Sequence, residues 1–254
     1  MSERKSIFEW AVEYVGDVAS FEARGLIVRD LLIAEGMKPH HDVLELGCGA
    51  LSSGQYLIDF LDPDKYIGMD PNGWLIEAGL KGIKGMKEMM VKRPLFLFRD
   101  DFNAREAGRQ YDFVVAHSIL SHAAGWQLPL MLTNVRNVLN PGGKFLVSFR
   151  QGPSDSNALH WAYPDISWFT AKTVRRTARD IGFRTRFKRE YRKLMVSFAP
   201  NDYHDWAVLE RVAKRWTEFQ PYSEDYLRVA LDLPPYAIGK LMDQGAGHQV
   251  ERTD

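Results

Sequence analysis

Apolar positions in the first forty residues recur every three or four places, in IFEWAVEYV and again in GLIVRDLLI, with Glu35-Gly36 as a stop. That spacing predicts helices. From Asp42 the period changes. DVLEL is a short apolar run closed by Gly47-Cys48-Gly49, the pattern of a buried parallel strand. A helical pattern runs from Ser53 to Phe60, and a second strand, Tyr66 to Met69, is closed by Asp70-Pro71-Asn72. A helix over 73–84 follows, then a third strand from Leu95 to Phe98, a fourth from Tyr111 to Val115 and a fifth from Lys144 to Phe149. The fifth is entered through the turn Asn140-Pro141-Gly142-Gly143. Beyond a turn-rich loop after Arg150, the pattern predicts a helix over 170–181 and strands near 183–191 and 205–210; the last forty residues read as helical and polar. Strands alternating with helices predict an α/β fold: a doubly wound, mostly parallel seven-stranded sheet with helices on both faces. The chain divides into a helical cap (1–41), one α/β domain (42–211) and a helical extension (212–254).

Composition narrows the class without changing that picture. The 254 residues are 45% hydrophobic and 26% charged, the balance of a globular chain. No apolar run reaches the ~18 residues of a membrane helix. The opening MSERKSIFEW has no apolar core followed by small residues, so the expectation is a cytoplasmic protein without membrane contact. A single cysteine, Cys48, excludes a disulfide framework and a cysteine-based metal cluster. The 33 basic and 33 acidic residues cancel, but unevenly: 172–193 carries ten Lys or Arg against Asp180 and Glu190. Nucleic acid is a possible but disfavoured partner, through that segment alone.

In a sheet of this kind ligands bind beyond the carboxyl ends of the strands, where the strand order reverses. Gly47 and Gly49 permit a tight turn and close approach of backbone to ligand, and the helix start near Ser52-Ser53 offers free N–H groups. A dinucleotide fingerprint would need glycine where Ser52 stands, and a phosphate-cradling loop would need a Gly-Lys-Ser/Thr that is missing. An acid, Glu45, stands two residues ahead of the glycines instead.

With that acid, the segment ELGCGALSSG (Glu45 to Gly54) resembles the first motif of the class I S-adenosylmethionine-dependent methyltransferases. Asp70 ends the second strand, where that family carries the acid that binds the ribose hydroxyls. Asp101-Phe102 follows the third, where the family contacts adenine. YDFVVAHSIL (111–120) is similar to its fourth strand, and LNPGGKFLVSF (139–149) to its turn into the fifth. The chain departs at Leu51, where many members carry a third glycine. The resemblance implies a Rossmann-like fold and S-adenosylmethionine as cofactor, bound through Glu45, Gly47, Cys48, Gly49, Asp70, Pro71, Asp101, Phe102 and His117. Read without it, the glycines are a loop turn, Asp70 a helix cap and Cys48 packing.

Methyl transfer is an in-line displacement in which the protein mainly positions the reactants and, for a hydroxyl or protonated amine, supplies a base. His117 and His122 flank the turn after the fourth strand, and a histidine titrates near pH ~6.5. His122, predicted to open the next helix, is taken as the base and His117 as the residue against the cofactor; His160 is a weaker third. Five residues apart, His117 and His122 are offset by about 140° on a helix and do not form a metal pair, so no metal is expected. Trp126, Trp161, Tyr163, Trp168 and Phe169 cluster outside the strands as an acceptor wall or as packing. The expected function is methyl transfer to a small-molecule oxygen or nitrogen. An RNA- or protein-directed enzyme using 172–193, and a non-catalytic cofactor-binding subunit, are the alternatives.

Overall fold

In the computed structural model residues 5–212 are described, so the predicted extension beyond 212 lies outside the described residues. Seven strands form one sheet: β1 (Val43–Leu46), β2 (Tyr66–Met69), β3 (Leu95–Leu97), β4 (Tyr111–Ala116), β5 (Leu139–Phe149), β6 (Phe183–Phe187) and β7 (Asp205–Arg211), in the order β3-β2-β1-β4-β5-β7-β6. The first five strands pair with one another in parallel, and β7 runs antiparallel between β5 and β6. Strand order reverses between β1 and β4, which pair directly.

Side chains alternate between the faces of the sheet. Leu44, Leu46, Val114, Ala116, Phe145 and Val147 face a core shared with α6 (Gln127–Val138) and α7 (Ala171–Ile181). Val43, Phe113, Val115, Leu146 and Val208 face a second core shared with α2 (Phe21–Ala34), α3 (Gly54–Phe60) and α8 (Arg189–Phe198). Both faces are covered, so all four β1 positions are buried, Glu45 included, rather than alternating with exposed ones. The remaining helices are α1 (Ile7–Tyr14), α4 (Gly73–Gly82) and the short α5 (Met86–Met89). A Ser6–Glu9 capping box starts α1, and the Thr170 hydroxyl accepts from the Thr173 N–H to start α7.

Three predicted elements differ. Arg189, Glu190 and Tyr191, read as strand, open α8; its apolar stripe packs Tyr191 and Met195 against the sheet. The turn 140–143 is absorbed into β5, whose pairing with β4 slips between Tyr111 and Phe113 to accommodate it. His122 does not open a helix. It sits in a turn segment, and α6 begins only at Gln127, whose side-chain oxygen accepts from the Ala124 N–H.

Several residues of the basic segment are engaged in ion pairs within the fold. At the end of α2, the buried Glu35 carboxylate takes ion pairs from Lys144 (3.1 Å), Arg186 (2.8 Å) and Lys188 (3.2 Å), and the Tyr191 hydroxyl donates to it at 2.7 Å. One acid thus ties α2 to β5, β6 and α8. Arg184 pairs with Glu210, and Arg192 with Asp205.

Candidate active site

The turn after β1 is fixed by backbone bonds. The N–H groups of Gly47 and Cys48 both donate to the Met69 carbonyl, at 2.7 and 3.1 Å, which anchors the turn to the end of β2. Gly47 (φ +71°) and Gly49 (φ +48°) take left-handed conformations, and a Cβ at Gly47 would lie 1.9 Å from Ile119 Cδ1. Leu51 is also left-handed, at φ +64°, and fully buried. The backbone keeps there the shape that glycine adopts freely, at a cost of roughly 1–2 kcal/mol.

Asp70, at the end of β2, is nearly buried, and its two carboxylate oxygens accept from the N–H groups of Gly49 (3.0 Å) and Asn72 (2.8 Å). Burial raises its pKa against those bonds. Buried Glu45 accepts from the Tyr66 hydroxyl at 2.6 Å. Burial outweighs the hydrogen bonds of Tyr66 and Ser53 and pushes it up to about 7. The Cys48 thiol is buried and pushed well above its ordinary pKa, so it is no nucleophile.

A cavity opens at the carboxyl edge of the sheet, over the β1–β4 reversal. Of the predicted residues it brings together Glu45, Gly47, Cys48, Gly49, His117 and His122. Asp70, Pro71, Asp101, Phe102 and His160 are not in its lining. Asp70 reaches it through Gly49. Asp101 spends its carboxylate on Arg99, at 2.9 and 2.5 Å, and its carbonyl accepts from Asn134 at 2.7 Å. Phe102, at φ +61°, is packed into the core.

Two groups of lining residues carry no signal in the local sequence. Val15, Gly16, Asp17 and Arg24 come from the N-terminal helical region; Asn201, Asp202 and His204 come from the loop before β7. Gly25, one residue past Arg24, lets α2 lie against the Ser52 carbonyl, which a Cβ would meet at 1.9 Å. Asp202 is buried between two imidazoles, His117 Nε2 at 2.9 Å and His204 Nδ1 at 2.5 Å. Burial alone would raise its pKa; the charge and hydrogen bond of His117, then those of His204, hold it well below the carboxylate range. His117 also stacks on Trp206, centroids 5.4 Å apart and planes 8° from parallel.

His122 is held differently. Its Nδ1 lies 2.8 Å from the Asp165 carbonyl oxygen, and its backbone carbonyl accepts from Ala162 at 2.7 Å. A carbonyl only accepts, so Nδ1 carries the proton and Nε2 keeps a bare lone pair. Burial lowers the imidazole pKa, Arg150 adds to that, and the Asp165 bond opposes it. Tyr163 and Trp161 pack on the ring at 5.0 and 5.9 Å, while the Tyr163 hydroxyl donates to the Tyr14 carbonyl and closes α1 over the cavity. Of the other predicted wall residues, Phe169 belongs to the core, Trp126 donates to the Leu159 carbonyl and Trp168 is exposed.

Sheet order, glycine turn and the acid ending β2 together define a Rossmann-like methyltransferase domain. Residues 22–186 match the family described as "Methyltransferase domain", and the chain belongs to that family: it is an S-adenosylmethionine-dependent methyltransferase of class I. Among curated proteins it is 31% identical over 113 residues to lovastatin diketide synthase lovF of Aspergillus terreus (strain NIH 2624 / FGSC A1156), which covers 43% of this chain and 4% of the synthase. It is 26% identical over 145 residues to tenellin synthetase of Beauveria bassiana (strain ARSEF 2860), covering 54% and 3%. The chain therefore spans only a few per cent of these relatives' length. Among solved structures, magnesium protoporphyrin IX methyltransferase (ChlM) from Synechocystis PCC 6803 with bound SAM superposes at TM-score 0.55 and 16% identity, over 83% of this chain and 86% of that one. The sugar N-methyltransferase KedS8 from Streptoalloteichus sp ATCC 53650 gives 0.56 and 13%, over 80% and 92%. Among the described residues no helix is long and apolar enough to cross a membrane.

Proposed function

We propose that this methyltransferase modifies an oxygen or nitrogen of a small-molecule acceptor, with His122 as the base. The observation that carries the reading is the tautomer of His122: Nδ1–H fixed on the Asp165 carbonyl, Nε2 bare, and the residue in the same cavity as the glycine turn. The residues also fit the cofactor. Gly47 and Gly49 keep the turn free of side chains, and each Asp70 oxygen, one lone pair engaged, retains another for a ribose hydroxyl. Arg24, at the edge of the turn, suits the carboxylate of the donor's methionine portion. When bound, S-adenosylmethionine supplies a methyl carbon activated by its sulfonium. His122 Nε2 takes the proton that the acceptor gives up as it gains the methyl group. His117, held by Asp202 and stacked on Trp206, is a rigid wall beside the turn.

Small-molecule acceptors are supported by the structural neighbours, a magnesium protoporphyrin IX methyltransferase and a sugar N-methyltransferase. They are supported too by the ion pairs that occupy Arg184, Arg186, Lys188 and Arg192 and leave less of the basic segment for phosphates. A carbon acceptor is the second reading, favoured by the likeness to polyketide-type synthases and to the CurJ carbon methyltransferase. A panel of metabolites, RNA and proteins incubated with methyl-labelled donor tests both. Label on a small-molecule O or N is the expected result, label on carbon selects the second reading, and label on RNA or protein alone overturns both.

For the cofactor residues, Asp70→Ala removes hydrogen bonds to a charged acceptor worth ~1.5–3 kcal/mol, so donor affinity is expected to fall about tenfold to a hundredfold. Titration calorimetry with S-adenosylhomocysteine measures it. An unchanged Kd in a folded variant removes Asp70 from the site.

A further inference from the structure

Arg150, the residue directly after β5, lines the same cavity as the glycine turn. Its Nε is buried without a hydrogen-bond partner, and among the described residues its guanidinium makes no ion pair. It lies over the Tyr203 ring, with the centroid 5.7 Å away. A charged donor left in this state, in the wall of a cavity, is available to an acceptor that is not part of the fold. The acids around the same cavity are committed elsewhere. Asp202 is held between His117 and His204, Asp17 accepts from Ser20 and the Ala19 N–H, and Glu45 accepts from Tyr66.

The donor satisfies one arginine at most. It carries a sulfonium, an ammonium and a single carboxylate, so it brings one negative group and a net positive charge. With Arg24 assigned to that carboxylate, Arg150 is left. We infer that the acceptor itself carries a carboxylate, held edge-on by the Arg150 guanidinium, with its reacting oxygen or nitrogen on the His122 side of the cavity. The guanidinium edge formed by Nε and one Nη matches the two oxygens of a carboxylate, which also gives the buried Nε its missing acceptor.

The same arrangement bears on the base. The positive charge of Arg150 is felt at both His122 and His204, where it disfavours protonation. A carboxylate seated on Arg150 offsets that charge and eases protonation of His122 during transfer. A neutral acceptor leaves the new imidazolium facing an uncompensated cation. This acceptor class rests on the small-molecule reading proposed above.

The test separates the two. The 254-residue chain saturated with S-adenosylhomocysteine is titrated with benzoate and with benzamide, which share shape and differ in charge. Benzoate is expected to bind at least tenfold more tightly than benzamide. Arg150→Gln is expected to abolish the difference and Arg150→Lys to restore part of it, with S-adenosylhomocysteine affinity unchanged as the control for folding. Equal affinities in the wild type, no benzoate binding, or an Arg150→Gln variant that keeps the preference would each overturn the inference. In the turnover arm, hydroxy and amino acids are compared with their methyl esters, and the free acids are expected to show the lower KM, an advantage that Arg150→Gln removes. Transfer to the esters with equal or lower KM overturns the inference while upholding the small-molecule reading. Benzoate binding through Arg150 in a chain that methylates only RNA or protein overturns that reading and shows that the oxyanion site exists without it.

Discussion

Replacing His122 by Gln is expected to lower turnover at least tenfold while donor affinity stays unchanged. A positioned base contributes ~10²–10⁴-fold to proton-coupled steps, and Gln keeps the volume and a hydrogen-bonding end but cannot take a proton at neutral pH. The pH profile is the sharper readout. Burial and the Arg150 charge hold the His122 pKa below its ordinary 6.5 against the Asp165 bond, so the imidazole is in its active, neutral form at pH 7. Wild-type kcat/KM, which reports the free enzyme, should fall only as the pH drops through a value below 6.5, and the variant should lack that acid limb. Glu45 also titrates in this cavity, at about 7, so the decisive quantity is the difference between the two profiles. Unchanged turnover with a true acceptor would mean that proximity and orientation alone carry the reaction.

The second large effect concerns stability. Burial alone would raise the Glu35 pKa, but hydrogen bonds from Tyr191, Lys144, Lys188 and Arg186 bring it from 4.5 down to about 2. A depressed carboxylate pKa stabilises the fold above the unfolded value and loses that contribution as pH falls through the folded one. The stabilisation is therefore about 3 kcal/mol at pH 7 and vanishes below pH ~2. Glu35→Gln should lower the urea-unfolding free energy by about that amount at pH 7, with the gap roughly halved at pH 3. A gap that does not vary with pH would assign the loss to packing instead.

The elements legible in the sequence are those whose burial imposes one period. The runs at 43–46, 66–69 and 111–116 are covered on both faces and contain little besides apolar residues, so their strands could be read directly. Charged, amphipathic segments were ambiguous. FRTRF and REYRKLMVSF are equally basic, and only packing against the sheet decides that the first is strand and the second helix. That His117 and His122 line the cavity is legible because they follow a parallel strand, the edge where ligands collect. Asp202 and His204 were missed because their segment precedes a strand. Only the antiparallel sense of β7 brings the start of a strand to the edge where the parallel ones finish. Arg24 and Asp17 were missed for another reason: no local pattern tells which helix of an N-terminal cap folds back over a cleft.

The insertion of β7 between β5 and β6 also dictates an order of assembly. β6 leaves the ribosome first yet joins the sheet only through β7, so it has no strand to pair with until residues 205–211 have emerged. Until then β5 presents an open hydrogen-bonding edge, the kind of surface that invites pairing with another chain. Gly47, Gly49 and Asp70 belong to β-strand ends that can pair without it, whereas Asp202 and His204 arrive with that last strand. The glycine turn and Asp70 can thus take shape during synthesis before Asp202 and His204 reach the cleft, and donor bound at that stage would favour the compact form of an unfinished sheet.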